Sequence, residues 1–96
     1  MQVKFATDAL RLLFEDALFK DQNIGVKATK TYRLVVNLIF AASEISDLAN
    51  MRLLNLCLLN KSKSCYVMDI DKTKQLIMNL KGQNAEIIEI RKKELT

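Results

Sequence analysis

The chain has 96 residues, 50% of them hydrophobic, a formal net charge of +4, two cysteines and no histidine. That length supports one domain, residues 1–96, around a single core, and with no imidazole there is neither histidine acid–base chemistry nor a zinc-ligand set to join Cys57 and Cys65. With no proline, two glycines and no apolar run approaching the roughly 18 to 20 residues of a membrane span, linkers and transmembrane segments are excluded.

Residues 2–6, QVKFA, alternate with Val3 and Phe5 on one side and fit a short strand. Thr7 or Asp8 then caps a helix whose stripe is Leu10, Leu13, Phe14, Ala17 and Leu18, ended by Asp21, Gln22, Asn23 and Gly25. The opening MQVKFATD lacks the charged and apolar regions of a secretory signal, so the expectation is a soluble cytoplasmic protein.

A longer helix is expected from near Ala28 through TKTYRLVVNLIFAASE, with Tyr32, Val35, Ile39 and Ala42 in its stripe and Val36, Leu38 and Phe40 widening it. The β-branched content would tolerate a strand, but the length without a breaker favours helix. Lys27, Lys30 and Arg33 decorate its first turns, where cations oppose the helix dipole. A solvated face and a surface for an acidic partner are both open readings of them. Ser46, Asp47 and Leu48 read as a cap opening one more short turn.

From Leu53 to Lys92 the chain reads as four strands, LLNLCLL, SCYVMDI, KQLIMNL and AEIIEIRK, joined by segments short enough for hairpins. Alternation puts Leu54, Leu56, Leu58, Tyr66, Met68, Ile70, Leu76, Met78, Leu80, Ile88 and Ile90 on a face that needs a cover. The opposite face carries Asn55, Cys57, Val67, Asp69, Gln75, Ile77, Asn79, Glu89 and Arg91, mixed enough to stay wet. Cys57 and Cys65 lie symmetrically about Lys61, so a regular hairpin would set them opposite each other, and a reducing cytoplasm would keep them as thiols. The expected architecture is α+β, with two helices on one face of an antiparallel sheet in the order β-α-α-β-β-β-β.

This order, with LLNLCLLNKSKSCYVMDIDKTKQLIMNL followed by AEIIEI, resembles the RelE/ParE toxin superfamily and, within it, the HigB-like plasmid maintenance killer proteins. VKFA and DALRLLFE stand where that branch has its first strand and helix, and Asp47 and Leu48 match its acidic-Leu pair. The resemblance implies a RelE-like fold and the toxin of a type II toxin–antitoxin system, which cuts messenger RNA on the ribosome without a metal or cofactor. It also implies a cognate antitoxin of helix-turn-helix type. The departures are specific: Asn60 and Ser64 replace hairpin glycines, and the family's Trp-Arg-Leu falls on Lys74, Gln75 and Leu76, so its arginine is missing. The acid–base residues of its tail are replaced by RKKELT.

Cleavage by the 2′-hydroxyl needs a proton acceptor, a group for the leaving 5′-oxygen and positive charge at the phosphorane. On the resemblance, Lys61, Lys63 and Arg91 are the candidate catalytic residues, and with Lys74 they form the candidate RNA-binding set. Taken alone, the two hairpin lysines read equally as a solvated turn. For Tyr66, on the core face, packing outweighs catalysis, and Asp69 and Glu89 would repel a phosphate. Lys27, Lys30 and Arg33 are the candidate contacts for the antitoxin. A toxin fold that has lost catalysis and survives as a protein-binding module is the first alternative, and an unrelated small α+β domain is the second.

Overall fold

The computed structural model describes residues Met1 to Lys93, so Glu94, Leu95 and Thr96 of the tail lie outside the described residues. Along the chain come β1 (Gln2–Phe5), α1 (Asp8–Glu15), α2 (Val26–Ala41), α3 (Ile45–Ala49), a 3-10 turn (Arg52–Leu54), β2 (Cys57–Asn60), β3 (Cys65–Asp69), β4 (Lys74–Lys81) and β5 (Asn84–Lys92). The fold is α+β, with one five-stranded sheet in the order β1-β5-β4-β3-β2.

The sheet departs from the antiparallel expectation at one pair. β2 to β5 form an antiparallel meander, but β1 runs parallel to β5, with Val3 beside Ala85 and Phe5 beside Ile87. The intervening helices and strands, rather than a tight turn, join β1 to β5, so no hairpin fixes their relative sense. In this placement Val3 and Phe5 pack against the core.

That core lies between the helices and one sheet face. α2 contributes Tyr32, Val35, Val36 and Ile39, and the sheet answers with Met68, Leu76, Met78, Ala85 and Ile87, all almost completely buried. α2 is therefore helix rather than strand, entered through Gly25, whose φ of 84° lies in the region glycine tolerates. α1 starts as expected, with the Thr7 hydroxyl accepting from Leu10 N–H at 3.2 Å, but ends at Glu15. Asp16 competes for the backbone there: its carboxylate accepts from Leu18 N–H at 2.9 Å, which leaves Leu18 exposed rather than on the stripe. α3 is a third helix, beginning after Glu44, with the Asp47 carboxylate accepting from the Ser43 and Glu44 N–H groups at 2.8 and 3.2 Å.

Three local breaks in alternation correct the expected faces. Leu53 and Leu54 lie in the 3-10 turn, and Asn55 follows with φ at 50°, so the first strand of the meander begins only at Cys57. Asparagine tolerates that conformation, and its amide donates to the Asp69 carboxylate at 2.9 Å. The β2–β3 turn takes residues 61–64, so the hairpin pairs Asn60 with Cys65 and, past a bulge at Leu59, Cys57 with Val67; the two thiols do not face each other, and both are free. A second irregularity in β5 pairs Met78 with Ile87 and Ile77 with Glu89, making Ile88 the extra residue. Ile87, not Ile88, is therefore the core residue, and Leu58 is 48% exposed.

α1 is fastened to α2 by the Tyr32 hydroxyl, which donates to the Leu10 carbonyl at 2.8 Å. Burial of the ring pushes the phenol's ionisation far above its ordinary value, so it remains a donor. Tyr32→Phe leaves that carbonyl without its donor and is expected to lower the unfolding free energy by about 1–2 kcal/mol. Urea denaturation would show this as an earlier midpoint with an unchanged slope, and an unshifted midpoint would contradict it.

Candidate nucleic-acid interface

The expected site residues separate into two places. Lys61 and Lys63 are exposed in the turn between β2 and β3, which is anchored by the Asn60 carboxamide oxygen accepting from Lys63 N–H at 3.2 Å and by Leu80 N–H donating to Ser64 C=O at 2.9 Å. Lys74 and Arg91 lie at the other end of the sheet, beside the β3–β4 turn, where Asp69, Gln75 and Arg91 form one cross-strand row. The four residue steps from Cys65 to Asp69 separate the two ends by about 13 Å. The hairpin lysines and the Arg91 end are therefore two patches rather than one cluster. A β-meander does this because a turn at one end of a strand and the start of the next strand are a strand's length apart.

The structure instead gathers cations at the Arg91 end. Register sets Lys74 opposite Lys92 on the helix side of the sheet, while Gln75 and Arg91 face the open side. Lys72 sits in the adjoining turn, and Lys93 continues the ladder by donating its N–H to Thr73 C=O at 2.8 Å. Five cations thus wrap one sheet end. Like charges directly opposite repel, and Lys74 and Lys92 form such a pair, so a phosphate between them would relieve the repulsion. The sequence signal was DKTK and RKK, segments that meet only once the antiparallel register is known.

Among the described residues, two acids beside the β3–β4 turn are already engaged, while Glu89 lies exposed two residues from Arg91 on the open face. Asp71 shapes the turn: its carboxylate accepts from Thr73 N–H at 2.8 Å, the Thr73 hydroxyl at 3.0 Å and Lys74 N–H at 2.8 Å. Desolvation pushes this carboxyl upward, but the bonds from Thr73 and Lys74 outweigh it and hold it below its ordinary range. Asp69 accepts from Asn55 at 2.9 Å and Gln75 at 3.4 Å and pairs with the Lys93 ammonium at 3.1 Å. Partial burial again acts upward, and the bonds from Asn55, Lys93 and Gln75 together overcome it, so the carboxyl stays ionised. Asp69 is therefore a screened charge, not the bare repulsive one expected from alternation.

The open face as a whole is close to neutral, with Lys4, Lys81, Arg91 and Lys93 set against Asp69, Glu86 and Glu89. Val67 and Ile77 are buried on it, outside the main core cluster. Tyr66 packs against that core between Leu58 and Met78, in the packing role. On α2, the Arg33 guanidinium donates to the Leu13 carbonyl at 2.8 Å and the Asp16 carbonyl at 3.1 Å, closing the C-terminal end of α1. Lys27 and Lys30 remain exposed.

No protein-family model matches the chain, and no curated protein is similar enough to match it.

The Asp69 network has a pH signature. A carboxyl held below its ordinary value of 3.8 in the folded state stabilises fully above that value, and its contribution disappears as pH falls through the lowered folded-state value. Lys93→Gln is expected to cost about 0.5–1 kcal/mol at neutral pH, with the gap to the parent protein closing as the carboxylate is titrated. Urea melts along an acid series measure this, and a gap that does not narrow in acid contradicts it.

Proposed function

We propose that the protein is the toxin of a type II toxin–antitoxin pair, of the RelE/ParE superfamily and HigB-like type, and that it holds messenger RNA on the ribosome at the basic end of β4 and β5. It is a weak, metal-independent endoribonuclease. A strand, a helical pair over one sheet face and an antiparallel meander, in that chain order, support the resemblance. The observation that carries the RNA reading is the cation cluster of Lys72, Lys74, Arg91 and Lys92, with Lys93 beside it paired to Asp69. Counterion release from such a cluster makes RNA affinity fall steeply with salt. The cognate partner is an antitoxin of helix-turn-helix type, acting in the cytoplasm.

Weak cleavage follows from the chemistry available. Arg91 can place positive charge at the phosphorane, but its cross-strand neighbour is Gln75, where the resemblance calls for arginine. Each missing charged contact to the transition state costs on the order of a hundred- to a thousandfold in rate. Asp69 is the nearby carboxylate, and one held firmly ionised is a poor proton acceptor. That same observation favours the second reading, a toxin fold that retains its partner contact without catalysis.

Induced expression is expected to slow growth only slightly, with faint ribosome-dependent cleavage by primer extension. Lys74→Ala with Lys92→Ala should abolish that cleavage, Lys61→Ala with Lys63→Ala should leave most of it, and Gln75→Arg should raise it. Strong arrest that survives loss of Lys74, Arg91 and Lys92 together would place the site elsewhere. A chain silent even with Gln75→Arg, yet copurifying with the product of an adjacent reading frame, would establish the second reading.

A further inference from the structure

The helical layer is unfinished on one side. Between α2 and the 3-10 turn runs a groove of about 570 Å³ floored by Val35, Leu54 and Ile70. Its walls carry Leu34 and Leu38 from α2, and Met51 and Leu53 from the segment after α3. Leu34 is 59% exposed and Leu53 94% exposed. Exposed large apolar side chains on both walls of one groove, over an apolar floor, mark a surface suited to an apolar partner.

The rim limits what that occupant is. Arg52 stands on one wall, and Lys27 lies one turn before Thr31 on the other, with the Thr31 hydroxyl donating to the Lys27 carbonyl at 3.3 Å. Both cations are exposed and lack an acidic partner among the described residues. Among the described residues the one acid lining the groove, Asp69, already holds Lys93. Along α2, Thr31, Leu34 and Leu38 follow the i, i+3, i+7 spacing of a helix ridge, which accepts a second helix packed alongside.

We infer that this groove docks an amphipathic helix of a protein partner, with leucine-type side chains on one face and acidic residues flanking them. The apolar face fills the space between Leu34 and Leu53, and the flanking carboxylates meet Lys27 and Arg52. The inference rests on the reading that this chain works with a protein partner, and it moves that contact from the Lys30 and Arg33 side of α2 to the groove side. Arg33 is tied to the end of α1 in any case.

The test uses the whole protein and two labelled synthetic peptides, one with leucines at i, i+4 and i+7 flanked by glutamates, the other with lysines in place of the glutamates. Fluorescence anisotropy should show the glutamate peptide binding, more weakly as salt is raised, and the lysine peptide binding at least tenfold more weakly. Leu34→Asp with Leu53→Asp should abolish binding, and Lys27→Glu with Arg52→Glu should reverse the preference. Both leucines are exposed, so thermal melts of the first variant should match the parent. Equal binding of the two peptides, no binding of either, or binding that survives the double leucine variant would overturn the inference. So would a stable dimer in solution that Leu53→Asp dissolves, since the groove would then hold a second copy of the chain. RNA retardation measured in parallel separates the readings: lost RNA binding with intact peptide binding removes the RNA interface and leaves the groove.

Discussion

The burial of α2 across the sheet is the constraint on which the rest depends. Tyr32, Val35, Val36 and Ile39 are 0–2% exposed and meet Met68, Leu76, Met78 and Ile87 from three adjacent strands. Burying each such side chain stabilises by about 1.5–3 kcal/mol, so these four rival the whole net stability of a small domain, about 5–15 kcal/mol. α1 is held to this helix by Tyr32 and Arg33, and the segment from α3 to Leu54 packs along its other flank. With one face of the sheet occupied in this way, the open face, the sheet ends and the uncovered flank of α2 are among the surfaces left to partners.

Much of this was legible in the sequence, because periodicity reports burial directly. The α2 stripe, the cap at Thr7 and the core parity of Met68, Leu76 and Met78 all follow from spacing. What escaped was set by single residues acting on the backbone. Asn55 turns left-handed and removes the first residues of an apparent seven-residue strand, Asp16 closes α1 at Glu15 and leaves Leu18 outside it, and one extra residue in β5 exchanges Ile88 for Ile87. Apolar alternation cannot reveal a bulge, since it leaves the composition of a strand unchanged. The parallel placement of β1 was illegible for a different reason, being a contact between the two ends of the chain.

The candidate site was half legible. Lys74 and Arg91 were identified by type, but their company was not: Lys92 joins Lys74 only through antiparallel register, and Lys93 joins through its pair with Asp69. Lys61 and Lys63 were grouped with Arg91 on the resemblance, and strand length sets them at the other end of the sheet. Asp69 links the two surfaces, since it lines the groove beside α2 while fixing Lys93 at the basic end.

The central claim is that RNA contacts this protein at the end of the sheet formed by the β3–β4 turn and the last residues of β5. Titration of the isotopically labelled protein with a short single-stranded RNA, followed by amide chemical shifts, tests it most directly. Shifts concentrated at Lys72, Thr73, Lys74, Arg91 and Lys92, diminishing as salt is raised and leaving Lys61 to Ser64 unmoved, are the expected result. Shifts concentrated at Lys61 to Ser64, or at the exposed face of α2, would contradict it.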